Sequence, residues 1–370
     1  MSTKDKIINF IKKEVVLSVA IVLTIVTCFF VPIDKEYLNY FDVSTLICLF
    51  CMLAVVAGLK STNVFELISR KMIGLFHTRR TVIYSLVFGT FIFDMIVAND
   101  MSLITFLPLT YIVLHSTKND KYLAFTFIMQ TIAANMGGMI TPYGNPQNLY
   151  LYSYYNIPTF EFFGILIVQS ITVAILLWIC CSFIGNEKLT LRRNSKVILD
   201  KKNIYIYSTL FILVILSIFR LIPYILTMVI VIITILINDR KRFKDVDYAL
   251  LATFCVFFVF SGNIARILAI KEIIATLVTK NTLIAGIVSC QFISNVPTAI
   301  FLSKFTSNYR ELLISVNIGS LGILISSLAS LITLKEFLKH QPKNFWKYLG
   351  MFTFFNSMFL IVLLLVTNIV

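Results

Sequence analysis

A chain of 370 residues that is 58% hydrophobic and only 14% charged has too little polar surface for a soluble globular domain, and its composition is that of a polytopic membrane protein. The net charge of +14 would suit nucleic acid, but the Lys and Arg residues gather in short loops between apolar runs, where they carry topology, so no nucleic-acid partner is expected. The cysteines Cys28, Cys48, Cys51, Cys180, Cys181, Cys255 and Cys290 all lie in apolar segments. Cys48 and Cys51 form a CxxC with no second pair nearby, which reads as small packing residues and predicts no structural metal site.

In chain order, residues 1–14 carry Lys4, Lys6, Lys12 and Lys13 and are expected in the cytoplasm. Residues 15–31 lack a small-x-small cleavage site and read as a retained first crossing. An acidic loop at 34–42 and a second crossing at 43–59 follow. The basic loop 60–80 holds apolar residues spaced for an amphipathic helix on the membrane surface. The stretch 81–114 begins and ends at basic loops and is too short for two full crossings, which predicts a re-entrant hairpin with its tip at 98–101.

Residues 122–155 would be one long apolar helix but for IAANMGGMITPYGNPQNL at 132–149. Two prolines and three glycines in that spacing forbid a continuous helix. Backbone freed at membrane depth survives only when buried in protein or lining a watery cavity, so this is a broken helix and a candidate binding site. A return crossing at 160–184 leads into the basic loop 186–203, expected inside, with Lys188, Arg192, Arg193, Lys196, Lys201 and Lys202. Crossings at 204–219, 221–237 and 248–260, a second surface helix at 264–278, a hairpin at 281–305, a broken helix at 309–334 and a last crossing at 348–370 complete the chain. The fold class expected is therefore all-α and polytopic, with about nine crossings and two hairpins. It lies in the cytoplasmic membrane, N-terminus inside and C-terminus outside.

The second half repeats the first. DVSTLICLFCMLAVVAGL (42–59) resembles DVDYALLATFCVFFVFSG (245–262), VANDMSLITFL (97–107) matches ISNVPTAIFL (293–302), and ANMGG (134–138) matches VNIGS (316–320). The crossing at 204–219 has no counterpart and inverts everything after it. This divides the chain into a first repeat at 1–186, a linker with the extra crossing at 187–220, and an inverted second repeat at 221–370. Inverted repeats meeting at the midplane are a transporter architecture.

On these residues the chain resembles the ion transporter superfamily of arsenite permeases, NhaD-type sodium/proton antiporters, metal-citrate transporters and divalent-anion/sodium symporters. GGMITPYGNPQN resembles its broken-helix signature, and ISNVPTAIFL its second hairpin tip. The resemblance implies a scaffold with a mobile transport domain, a homodimer and elevator-like movement. It also implies polar hairpin tips at Asn99 and at Ser294 and Asn295. The divalent-anion branch carries Ser-Asn-Thr at both tips. Here they read Ala98-Asn99-Asp100 and Ser294-Asn295-Val296, which moves the expectation toward the arsenite, NhaD and metal-citrate branches.

Asp94 and Asp100 are the only acids well inside an apolar segment, and a carboxylate at that depth is a functional-site hypothesis by default. Asp100 is the expected coupling carboxylate, with Na+ at Asn99 and Asp100. Asp94 is the second candidate, its alternative role being a structural pairing. Asn99, Asn135, Asn145 and Asn148 offer amide oxygens to a hard cation and NH2 groups to an anion. Their counterparts Asn317 and Gly319, with Gly137 and Gly138 at the first break, complete the expected site. Ser102, Thr105, Thr141, Ser294 and Thr298 are hydroxyl candidates whose alternative is a bond to a helical carbonyl. Tyr150, Tyr152, Tyr154 and Tyr155 read as an interfacial aromatic belt. The function expected is secondary transport of a small anion coupled to Na+ or H+, with sodium/proton antiport as the alternative. No other cofactor is expected, the surroundings are lipid, and the absence of HExxH, GxSxG or nucleotide motifs argues against an enzyme.

Overall fold

At membrane depth each backbone amide must find its partner within its own segment, so the apolar runs become helices. The computed structural model describes residues 14–189 and 199–369. The N-terminal Lys4, Lys6, Lys12 and Lys13 lie outside that range, as do Arg192, Arg193 and Lys196 of the central loop. Among the described residues the chain is helical throughout, with a single β-bridge between Thr78 and Lys188.

The helices are α1 (Val15–Cys28), α2 (Val43–Ser61), α3 (Val64–Ile73), α4 (Arg79–Asp94), α5 (Asn99–Ser116), α6 (Leu123–Gly137), α7 (Pro146–Tyr154), α8 (Thr159–Ser182) and α9 (Lys201–Ile218). They continue as α10 (Tyr224–Asn238), α11 (Tyr248–Arg266), α12 (Leu268–Lys280), α13 (Thr282–Ile293), α14 (Asn295–Leu302), α15 (Tyr309–Ile318), α16 (Leu328–His340) and α17 (Phe345–Ile369). Six helices of the described chain are long and apolar enough to cross a membrane unaided. The remaining expected crossings fall on the shorter apolar helices α1 and α10 and on the interrupted pair α15 and α16. α12 meets α13 at 119°, which lays one along the surface when the other points inward.

Packing divides the helices into two groups. α1 lies on α11, and α9 and α10 lie on α2. In the second group α4, α5, α8, α16 and α17 surround α6, while α13 and α14 pack on α15. The groups meet where α7 touches α2 and where α11 touches α14. On the outside, Ile167, Ile171, Ile175 and Trp178 of α8 and Ile225, Val229, Ile233 and Leu236 of α10 are exposed. Their three-to-four spacing makes apolar stripes suited to lipid.

Several boundaries differ from the sequence reading. α11 runs through Gly262 to Arg266 instead of stopping near 260, because the Tyr40 ring covers Gly262 and Asn263 Nδ2 donates to Thr27 Oγ1 of α1 at 3.1 Å. The first hairpin turns at 95–98, so Asn99 and Asp100 open α5 instead of forming the tip itself. Tyr150 and Tyr152 are not an interfacial belt, since both are fully buried. Their hydroxyls are paired inside the protein with Ser303 Oγ at 2.7 Å and Thr159 Oγ1 at 2.6 Å.

Candidate substrate and ion site

α6 ends at Gly137 and α7 restarts at Pro146, a proline in the first turn, where its missing N–H costs nothing. The carbonyls freed between them are collected by one side chain. Asn148 Nδ2 donates to Met139 O at 3.0 Å and, more weakly, to Gly138 O and Thr141 O at 3.4 Å. Asn145 Nδ2 reaches back to Asn135 O at 3.2 Å. The glycines are needed for close approach. A Cβ on Gly137 would strike the Phe91 carbonyl of α4, and one on Gly138 would stand 2.6 Å from Asp94 Oδ2 and 2.8 Å from Asn145 Oδ1.

Asp94 is fully buried at the end of α4 and bonds the break directly. Its Oδ2 accepts from the Gly138 amide at 2.6 Å and its Oδ1 from Ser102 Oγ at 3.2 Å. Asp100 takes a different position. Its backbone N–H donates to Asn99 Oδ1 at 2.9 Å, while its own buried Oδ1 has no hydrogen-bond partner among the described residues.

The second break lies between α15 and α16, and Gln291 of α13 satisfies its backbone. Gln291 Nε2 donates to Gly319 O at 2.9 Å and Leu321 O at 3.0 Å, and Gln291 Oε1 accepts from Ile323 N at 3.0 Å. Gly322 in this segment has φ +116°, where any side chain would be strained. At the second tip, Ser294 takes φ 72° and ψ 161°, a region costly for a residue with a Cβ. Asn295 Oδ1 accepts from Val296 N at 2.9 Å, the same contact that Asn99 makes with Asp100.

The two breaks touch each other. Asn317 Nδ2 donates to Asn148 Oδ1 at 2.7 Å, Gln147 Nε2 to Asn317 Oδ1 at 3.4 Å, and Ser327 Oγ to Asn135 Oδ1 at 2.6 Å. All of these side chains are buried. Among the described residues three atoms within the cluster have no hydrogen-bond partner: Asn135 Nδ2, a donor, and Asn145 Oδ1 and Gln147 Oε1, both acceptors. Leaving such atoms without partners costs about 1–3 kcal/mol each in a dry interior.

Of the residues expected from sequence, Asp94, Ser102, Asn135, Gly137, Gly138, Asn145, Asn148 and Asn317 come together here, with Gly319 bonded through Gln291. Thr141 Oγ1 donates to Met95 O at the first hairpin turn at 3.1 Å. Thr298 and Thr105 bond helical carbonyls of their own helices, Ser294 O at 2.7 Å and Met101 O at 2.8 Å. Sequence reasoning missed Gln291, Gln147 and Ser327. A lone glutamine in the apolar limb of a hairpin was the available signal for the first.

Residues 7–309, which take in both hairpins and the first broken helix, match the citrate transporter family. The chain belongs to the citrate transporter family. It is similar to an uncharacterized transporter of Methanocaldococcus jannaschii, 32% identical over 303 residues that cover 81% of this chain and 82% of the relative. It is also similar to inner membrane protein YbiR of Escherichia coli, 25% identical over 329 residues and 86% of each chain. The protein is thus a multi-pass secondary transporter of the membrane.

Proposed function

We propose that this member of the citrate transporter family moves a small anion, citrate or dicarboxylate-like or an arsenite-like oxyanion, across the cytoplasmic membrane in company with Na+ or H+. The observation that carries the reading is the buried meeting of the two broken helices. Asn135, Asn148, Asn317 and Ser327 join there beside the carboxylate of Asp94. The open NH2 hydrogen of Asn135 suits an anion and the open oxygens of Asn145 and Gln147 suit a cation. One negative charge in the cluster lets a cation neutralise the site before an anion enters, which makes the two bindings interdependent.

The packing groups suit an elevator. α4–α8 with α13–α17 carry the site, and α1, α2 and α9–α11 form the stationary part, in a homodimer. The inverted repeats, a cytoplasmic N-terminus and an external C-terminus complete this reading.

The test is uptake into proteoliposomes of citrate, succinate, sulfate and arsenite, with sodium and proton gradients imposed separately. Accumulation of one anion under one gradient is the expected result. Cation exchange with no anion moved would instead establish sodium/proton antiport, and no gradient-driven movement of any kind would refute the proposal.

A further inference from the structure

The seam between the two packing groups is bridged by aromatic rings. They meet across it at Tyr143 and Phe219, Tyr150 and Phe258, and Phe260 and Phe301, with centroids 6.1, 5.5 and 5.7 Å apart. Apolar contact is non-directional and fixes no single register. Directional contacts are confined to one place. Among the described residues, the side-chain hydrogen bonds that join α1, α2 and the α9–α11 segment to α4–α8 and α13–α17 all end on residues 152–157, at the close of α7. Ser44 and Ser153 share one, Oγ to Oγ at 2.8 Å. The others come from a single side chain. Arg220 donates from Nη2 to Tyr152 O at 2.6 Å and from Nη1 to Ile157 O at 3.1 Å, and its guanidinium carbon lies 4.3 Å from the centre of the Tyr152 ring.

The backbone at Arg220 is that of a glycine position. α9 closes in a Schellman turn, with Leu221 N donating to Leu216 O and Arg220 N to Ser217 O, each at 2.9 Å. Arg220 thereby takes the left-handed conformation, φ 64°, where glycine is the usual residue and a side chain is strained. Strain of this kind persists where the side chain has a role. The role of the arginine is visible in its partners, two carbonyls at the negative end of a half-helix, which a planar cationic fork suits better than a point charge. Asn148 lies one turn, about 6 Å, before Tyr152 on the same helix, so a grip on the end of α7 is also a grip on Asn148 and Gln147 in the candidate site. Arg220 is exposed at the rim of the seam, where water can take over its donors when the groups part.

We infer that Arg220 is a positioning residue for transport: its guanidinium pins the half-helix α7 to the turn between α9 and α10 in one arrangement of the two groups and releases it in the other. This rests on the reading that α4–α8 with α13–α17 move against α1, α2 and α9–α11. Ring contacts survive a sliding of one face over another, whereas the two carbonyl bonds of Arg220 exist at a single register. The pin therefore sets the balance between arrangements. Losing one charged hydrogen bond changes that balance about tenfold, so that a ratio of about 9:1 becomes about 1:1.

The experiment is oxidative cross-linking of Ser44→Cys with Ser153→Cys in an otherwise cysteine-free full-length protein in liposomes, with Arg220 kept or replaced. The initial rate reports the share of molecules that are pinned. Arg220→Gly suits the left-handed backbone and removes only the side chain, so it is expected to melt close to the parent yet cross-link at about half the parent rate or less. Arg220→Lys keeps the charge without the fork and is expected to fall between the two. If Arg220→Gly is not recovered, Arg220→Gln, equally uncharged, decides. Cross-linking at the parent rate in a folded Gly or Gln variant would overturn the inference, and so would a parent that does not cross-link. The oxidised parent is then assayed for uptake of citrate, succinate, sulfate and arsenite before and after reduction. A locked parent that transports as fast as the reduced one refutes the movement of the groups and the pin with it. A locked parent that is inert until reduced, together with unchanged cross-linking in Arg220→Gly, refutes the pin alone and leaves the movement standing.

Discussion

Gly137→Ala is a demanding test of how the first hairpin meets the broken helix. The added methyl would be driven into the Phe91 carbonyl, with Phe91 C at 3.1 Å and Asp94 Cβ at 3.2 Å. Backbone cannot swing aside as a side chain can, so α4 and α6 must separate. Overpacking of this kind costs about 1–3 kcal/mol, against which replacing a helical glycine by alanine returns roughly 0.5–1 kcal/mol. A net loss of up to about 2.5 kcal/mol, spread over an unfolding entropy of roughly 2.1 cal/mol/K per residue, lowers the melting midpoint by up to about 3 °C. Transport should suffer more, because the wedge pulls Asp94 away from the Gly138 amide that it holds at 2.6 Å. Misplacing a positioned group by about 1 Å can cost on the order of 100-fold in rate. Gly350→Ala on α17 is the control, having nothing within 4 Å of its Cβ, and should melt at or slightly above the wild type. Both variants would be melted in detergent by fluorescence-detected size exclusion and assayed for uptake in proteoliposomes. If Gly137→Ala melts and transports like Gly350→Ala, the close approach of hairpin and broken helix is wrong.

Asn148→Ala and Asn317→Ala, alone and together, should show a coupling energy of about 0.6–1.7 kcal/mol, the range of buried polar pairs in membrane helices. Strict additivity in the melting data would mean that the 2.7 Å bond between the halves contributes nothing. Asn99→Ala and Asn295→Ala should each abolish uptake at normal expression, since each side chain organises a hairpin tip through its Oδ1; normal uptake in either removes that tip from the site. Single cysteines at Lys188 and Leu221 in a cysteine-free background should label from opposite faces with an impermeant maleimide, and same-side labelling contradicts the inverted topology. Asp34, at the surface outside the spans, has its carboxyl held below the usual 3.8 by hydrogen bonding to Arg266. That contribution is present above about pH 3.8 and lost as pH falls through the depressed value. Asp34→Asn should therefore melt below the wild type at neutral pH and level with it in stronger acid, and a gap that persists there would assign the effect to something other than ionisation.

The breaks were legible because proline and glycine act locally. Pro142, Gly144 and Pro146 end a helix whatever surrounds them, and the length of 81–114 alone excluded two crossings. The partners of the breaks were not legible, because side-chain pairing in this fold is a long-range matter. Nothing near Ser327 says that it will meet Asn135, 192 residues earlier. Nothing near Gln291 says that its amide will close a break almost thirty residues later. The tyrosines failed for a related reason. Tyr150 and Tyr152 have the composition of a membrane belt, and only the docking of α7 between α2 and α14 turns them inward. Both Asp94 and Asp100 stand out in sequence, with Asp100 the first candidate for the coupling carboxylate and Asp94 the second. The difference between them arises where the hairpin turns, a few residues from where the pattern put it.

Seen from the ribosome, the pairing of the two breaks is a problem of timing. Asn148 waits for Asn317, 169 residues later in the chain, and Asn135 waits for Ser327. At roughly 5–20 residues per second of synthesis, the first half spends on the order of ten to forty seconds in the bilayer with those amides lacking the partners they keep in the finished protein. Unsatisfied polar groups in hydrocarbon invite water or wrong helices. The second half therefore acts on the first as a late-arriving chaperone.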